Sequence, residues 1–112
     1  MKIIVWDDDG YPTEESLERL SKILNGDDYE KAYEAFWSAL KENTYGNIMY
    51  GHTKVEVRGE IKEVWQYHTG GWSGNESIIR VLQDTVYWHL VLDRYDAGGH
   101  YYFKLPKSED TK

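Results

Sequence analysis

Apolar residues change their spacing near residue 44, and that change limits the chain to a mixed fold. Before it, Leu17, Leu20 and Leu24 form one stripe with Ile23 beside it, and Tyr29, Tyr33, Phe36, Trp37 and Leu40 form another. Spacings of three and four residues belong to amphipathic helices. Thr13 is placed to cap the first helix, with Glu14 and Glu15 in its opening turn, where the helix dipole favours negative charge. Asn25-Gly26 stops that helix, and Asp27 and Glu30 have the spacing of a capping box for the second. Asn43 and Gly46 close the helical part.

From residue 44 the apolar residues alternate by twos. "TKVEVRGEIKEVWQYH" reads as a β-hairpin around Gly59, with Val55, Val57, Ile61, Trp65 and Tyr67 on one face. A three-residue loop, Arg58-Gly59-Glu60, would place Glu56 opposite Lys62. A third helix is expected over "SGNESIIRVLQD", with Ser73 and Glu76 as its capping box and Ile78, Ile79 and Leu82 facing inward. "TVYWHLVLDRY" is rich in strand formers and reads as a strand with Val86, Trp88, Leu90 and Leu92 on one side. "DAGG" is a turn, and "HYYFKL" a last strand with Tyr101, Phe103 and Leu105 sharing a side. "KIIVW" at the start suits a short strand or an extended arm packed on the core. The expected fold is α+β: two N-terminal helices, then β-hairpin, helix, β-hairpin, forming an antiparallel sheet with helices on one face. Residues 1–105 would form one domain and 106–112 a flexible polar tail.

Charge narrows the partners. The chain of 112 residues carries a net charge of −7, and residues 1–43 hold 11 acidic side chains against 5 basic ones. Direct binding to nucleic acid is not expected, because phosphate contacts need clustered Lys and Arg. A basic protein surface suits the charge better. Aromatic residues make up 15%, with five Trp and ten Tyr, so some rings are expected at the surface. The absence of cysteine excludes disulfides and thiolate chemistry. No apolar run is long enough to span a membrane, and the first residues lack the apolar core of a signal peptide, so no membrane partner is expected.

The most unusual stretch is "HTGGWSGNES", residues 68–77. A glycine-rich loop that opens a helix offers free backbone N–H groups and can hold an anion. However, the P-loop and dinucleotide signatures are absent, and Glu76 would repel an anion. A hard turn explains the glycines more simply: Gly70 and Gly71 take positive φ, and Trp72 covers the end of the core. Trp72 held between glycines would also suit a partner-binding anchor.

The remaining polar residues form no recognised motif. His68, His89 and His100 would lie on strands of the expected sheet and could meet around a metal, but His52, His68, His89 and His100 lack metal-ligand spacing, so they read as surface histidines of the sheet and no metal is expected. Asp7, Asp8 and Asp9 are consecutive, unlike the alternating ligands of a calcium loop, so a solvated turn is expected. Asp93, Arg94 and Asp96 near His100 suggest surface ion pairing. No catalytic constellation and no cofactor are expected.

Three segments, "DDDGYPTEESLERL" (7–20), "YHTGGWSGNESIIRVL" (67–82) and "GGHYYFKL" (98–105), resemble a group of small uncharacterised proteins encoded by bacteriophages and prophages. The middle of the chain is only loosely alike, and Ala97 stands where the family often has Arg. The resemblance implies a phage origin and action in the host bacterial cytoplasm. If the shared segments mark a site, it involves Gly70, Gly71, Trp72, Ser73, Asn75, Glu76, Gly99, His100 and Tyr102. The leading functional expectation is a non-enzymatic acidic protein that binds and inhibits or modulates a basic host protein, such as a CRISPR-type nucleic-acid-binding effector. The alternatives are a small-ligand, anion-binding or enzymatic domain around 68–76 and His100, whose pocket would hold Trp72 and His100, and a virion or assembly component.

Overall fold

Thr13 opens the helical half as expected. Its Oγ1 accepts the Ser16 amide at 3.3 Å, and α1 runs Glu14–Leu24. In the computed structural model, which describes residues 3–41 and 50–104, α2 (Tyr29–Lys41) follows after a short link. Its cap is Asp28, not Asp27: Asp28 Oδ1 accepts the Lys31 amide at 3.1 Å. The proposed Asp27–Glu30 box is therefore displaced by one residue, because Tyr29 is already helical. Asn43, Gly46, Leu105 and the expected 106–112 tail lie outside the described residues.

The sheet half contains β1 (Tyr50–Val57), β2 (Glu60–His68), α3 (Ser73–Gln83), α4 (Val86–Val91), β3 (Leu92–Asp96) and β4 (His100–Phe103). All strand pairs are antiparallel and the strand order is β1-β2-β4-β3. The fold is α+β, with helices packed on the sheet, as the change in period predicts. "KIIVW" forms the arm: Ile3 and Ile4 are buried in the core, and Arg19 Nη2 donates to the Ile3 carbonyl at 2.8 Å.

The core consists largely of crossed rings. Trp37 of α2 meets Trp65 of β2 edge-on at 5.7 Å, and Phe36 meets Phe103 of β4 at 6.1 Å. Trp88 of α4 packs on Tyr101 and Phe103 at 5.4 and 5.5 Å. These are the edge-to-face geometries that aromatic quadrupoles favour.

Three further expectations about local structure are corrected, and with them the place of Tyr29. Residues 86–91 form a helix, not a strand. Strand-forming side chains are overruled here by packing: the helix turns the adjacent Tyr87 and Trp88, and then Val91, onto the core, which an alternating strand cannot do. Val86 and Leu90 consequently face outward.

The hairpin loop has two residues, with Val57 opposite Glu60 and Glu56 opposite Ile61. Arg58 (φ 54°) and Gly59 (φ 82°) both take positive φ, the left-handed two-residue turn that matches strand twist. The register moves Val55 and Val57 to the face away from Ile61, Trp65 and Tyr67. Val55 instead lies opposite Lys62. The helices do not reach the hairpin tip, where Ile61 is 71% exposed.

The third correction is the Ser73–Glu76 capping box, which does not form. Trp72 is the N-cap residue and supplies no side-chain cap, because Ser73 already lies inside α3. Tyr29, placed on the apolar stripe of α2 by its spacing, is 73% exposed.

Candidate functional site

The three segments singled out in the sequence meet at one end of the molecule. Gly70 and Gly71 take φ of 68° and 75° and turn the chain off β2. The turn aims Trp72 at the "DDDGYP" turn, where its Nε1 donates to the Gly10 carbonyl at 2.6 Å. Its ring lies 5.0 Å from that of Tyr11. Ser73 Oγ donates to Tyr11 Oη at 3.2 Å. The "DDDG" acids form the expected turn: Asp7 Oδ1 accepts the Asp9 and Tyr11 amides at 2.9 and 3.0 Å.

Thr69 joins this loop to the third segment. It is fully buried, and its amide donates to the Gly99 carbonyl at 3.0 Å. Its Oγ1 accepts the Gly71 amide at 3.3 Å and donates to Glu76 Oε2 at 3.2 Å. Its carbonyl accepts from Trp72 N at 3.3 Å and from the buried Asn75 Nδ2 at 3.1 Å. Gly70, Gly71, Trp72, Ser73, Asn75, Glu76 and Gly99 are thus parts of one clasp whose polar groups are directed at the protein itself. A cleft beside it is lined by Glu76, Arg80, Gln83, Tyr95, Gly99 and Tyr101, among others. Burial raises the Tyr101 pKa, with Tyr95 and then Glu76 adding to the shift.

His100 and Tyr102 belong to a different surface. Trp72 turns to Gly10 while His100 turns to His68, so the structure does not bring Trp72 and His100 into one pocket. Gln66 and His68 of β2 lie opposite Tyr102 and His100 of β4, and Arg94 and Asp96 of β3 continue the two rows. This face of the sheet points away from the aromatic core. His68 Nδ1 lies 2.5 Å from His100 Nδ1, and His68 Nε2 lies 2.8 Å from Gln66 Oε1. Desolvation, then the neighbouring His100, lowers the His68 pKa. Tyr102 lies under the Arg94 guanidinium at 5.8 Å, and Arg94 also holds the Asp96 carboxylate at 3.2 and 3.3 Å.

A third surface lies on α2 and α4. Tyr29, Glu30, Tyr33 and Tyr87 line a shallow groove of about 460 Å³. The rings of Tyr33 and Tyr87 are 6.5 Å apart. Exposed Asp27, Asp28 and Glu34 stand around the start of α2, and Val86 and Leu90 are exposed on α4.

Comparison with family models, curated proteins and solved structures finds no match for the chain. No helix among the described residues is long and apolar enough to cross a membrane.

Sequence reasoning raised a meeting of His68 and His100 and set it aside, and it missed Gln66 beside them and the tyrosine groove. The common parity of 66, 68, 100 and 102 hints at a shared face, but only the pairing of β2 with β4 joins the rows. The groove depends on α4 being helical. No alternating reading of 86–91 would have placed Tyr87 beside Tyr33.

Proposed function

We propose that the chain is a phage-encoded interaction protein, not an enzyme, and that it binds a basic host protein through the surface of α2 and α4. The supporting observation is the tyrosine groove with the Glu30 carboxylate in its lining. Tyrosine faces with Glu30 beside them suit an arginine side chain, which accepts both cation–π and carboxylate contacts. The net negative charge of the first 43 residues favours encounter with a cationic surface, and the rings provide slower dissociation. A nucleic-acid-binding defence effector of CRISPR type carries such a surface in its nucleic-acid channel, and occupying it would inhibit the effector in the host cytoplasm.

The same reading moves the contact away from Trp72. That ring is half-buried and its N–H is bonded to Gly10, so it serves the fold. The test is affinity capture from host lysate with the wild-type chain, a Tyr29→Ala/Tyr33→Ala double variant and Trp72→Phe, all checked for folding. The expected result is one basic nucleic-acid-binding protein, retained by wild type and Trp72→Phe, lost by the double variant and released by high salt. Capture that ignores the double variant, or no capture, overturns the assignment.

A further inference from the structure

The face of the sheet opposite the aromatic core pairs two histidines, His68 and His100. We propose that His68 and His100 bind a divalent transition-metal ion of the copper, nickel and zinc class between their Nδ1 atoms, with water completing its coordination. No spacing in the sequence announces this site, because its two ligands are 32 residues apart and meet only through the pairing of β2 with β4.

Three features carry the inference. First, the two Nδ1 atoms are directed at each other, 2.5 Å apart, with the ring centroids 4.7 Å apart. These distances make the two Nδ1 lone-pair axes nearly collinear, so an ion with bonds of about 2.0–2.1 Å to each nitrogen requires both side chains to rotate as well as to part until the nitrogens are roughly 3 Å from one another. Second, Gln66 Oε1 lies 2.8 Å from His68 Nε2, and as an acceptor it suits a neutral His68 with its proton on Nε2 and its lone pair on Nδ1. A side-chain or backbone oxygen holding the distal N–H is the usual support of a metal-binding histidine. Third, both rings are only partly buried, on the face opposite the aromatic core, so an ion and its waters can reach them.

Proton balance is simple. In the empty pair His100 Nδ1–H donates to His68 Nδ1. On binding, that proton moves through solvent to His100 Nε2, and both rings ligate as neutral imidazoles. The Asp96 carboxylate lies in the same row but is held by Arg94, so the proposed site has two protein ligands. Imidazole pairs favour copper over nickel and zinc.

The experiment is a Cu(II) titration of the whole chain, read by calorimetry and by electron paramagnetic resonance. One ion per chain with nitrogen couplings from two imidazoles is expected. His68→Gln and His100→Gln should each abolish that signal, Gln66→Ala should weaken binding about 10- to 100-fold, and His89→Gln should leave it unchanged. Circular dichroism checks each fold. If a histidine variant does not fold, selective paramagnetic broadening of residues 66–68 and 100–102 in the wild-type NMR spectrum supports the site instead. The proposal is overturned if copper does not bind, if the signal survives both histidine substitutions, or if broadening occurs elsewhere.

Discussion

Trp72 Nε1 donates to the Gly10 carbonyl at 2.6 Å, tying together residues 62 apart in sequence. Trp72→Phe keeps a ring in place but leaves that carbonyl without its donor. A loss of about 1–2 kcal/mol is expected, and about 2–4 kcal/mol for Trp72→Ala, from the urea midpoint. Unchanged midpoints would show that the tryptophan contributes nothing to the fold.

Gly99 and Gly71 separate close packing from backbone strain. Both have positive φ, but a Cβ on Gly99 would lie 2.3 Å from Thr69 Oγ1, whereas one on Gly71 meets nothing within 4 Å. Gly71→Ala should cost about 1–2 kcal/mol, the left-handed penalty alone. Gly99→Ala should cost at least about 1 kcal/mol more, because it also displaces a fully hydrogen-bonded threonine. Equal losses in equilibrium unfolding would contradict the close approach.

The helical assignment of residues 86–91 predicts opposite responses at two apolar positions. Leu90 is 60% exposed and Trp88 is 6% exposed. Leu90→Lys should change stability by no more than about 0.5 kcal/mol, and Trp88→Ala should cost about 3–5 kcal/mol. In a strand with Trp88 and Leu90 on one buried face, both substitutions would be severe.

Two groups predict how stability depends on pH. Tyr67 has a buried hydroxyl with no hydrogen-bond partner among the described residues, and burial, then Tyr101, pushes its pKa up. The folded state therefore holds this proton more tightly than the unfolded chain. The contribution is complete below the ordinary tyrosine value of 10.0 and is lost as pH rises above it. Tyr67→Phe should reduce that alkaline loss and leave stability at pH 7 equal or higher, because it removes an orphaned polar group.

His68 has the reverse sign. Its folded pKa is lowered, by desolvation first, so its contribution is present above the ordinary value of 6.5 and is lost as pH falls below it. His68→Gln should flatten the acid side of the urea-midpoint profile. A profile equally steep in the variant would assign the acid loss to other groups.

The sequence reveals the fold class because Leu17, Leu20 and Leu24 repeat at helical spacing while Trp65 and Tyr67 alternate. It misassigns 86–91 because Val, Tyr and Trp favour strands, and only the adjacent burial of Tyr87 and Trp88 decides for a helix. It misplaces Val55 and Val57 because one loop residue inverts a strand's facing. At the candidate site, the glycines and Trp72 are legible as a turn, but Gly10, Tyr11 and Thr69 become their partners only in three dimensions. The histidines are visible individually. Their meeting depends on strand order, which alternation does not encode.

The strand order also matters during synthesis on the ribosome. β4 is the last of the described strands to be made, yet it lies between β2 and β3. Until residues 100–103 emerge, β2 and β3 each have an unpaired edge, and Phe36 and Trp88 lack the Phe103 ring on which they pack. A stalled product ending before that point exposes strand edges and apolar rings together, features that promote aggregation and proteolysis. Translation must therefore pass residue 103 before the sheet can close.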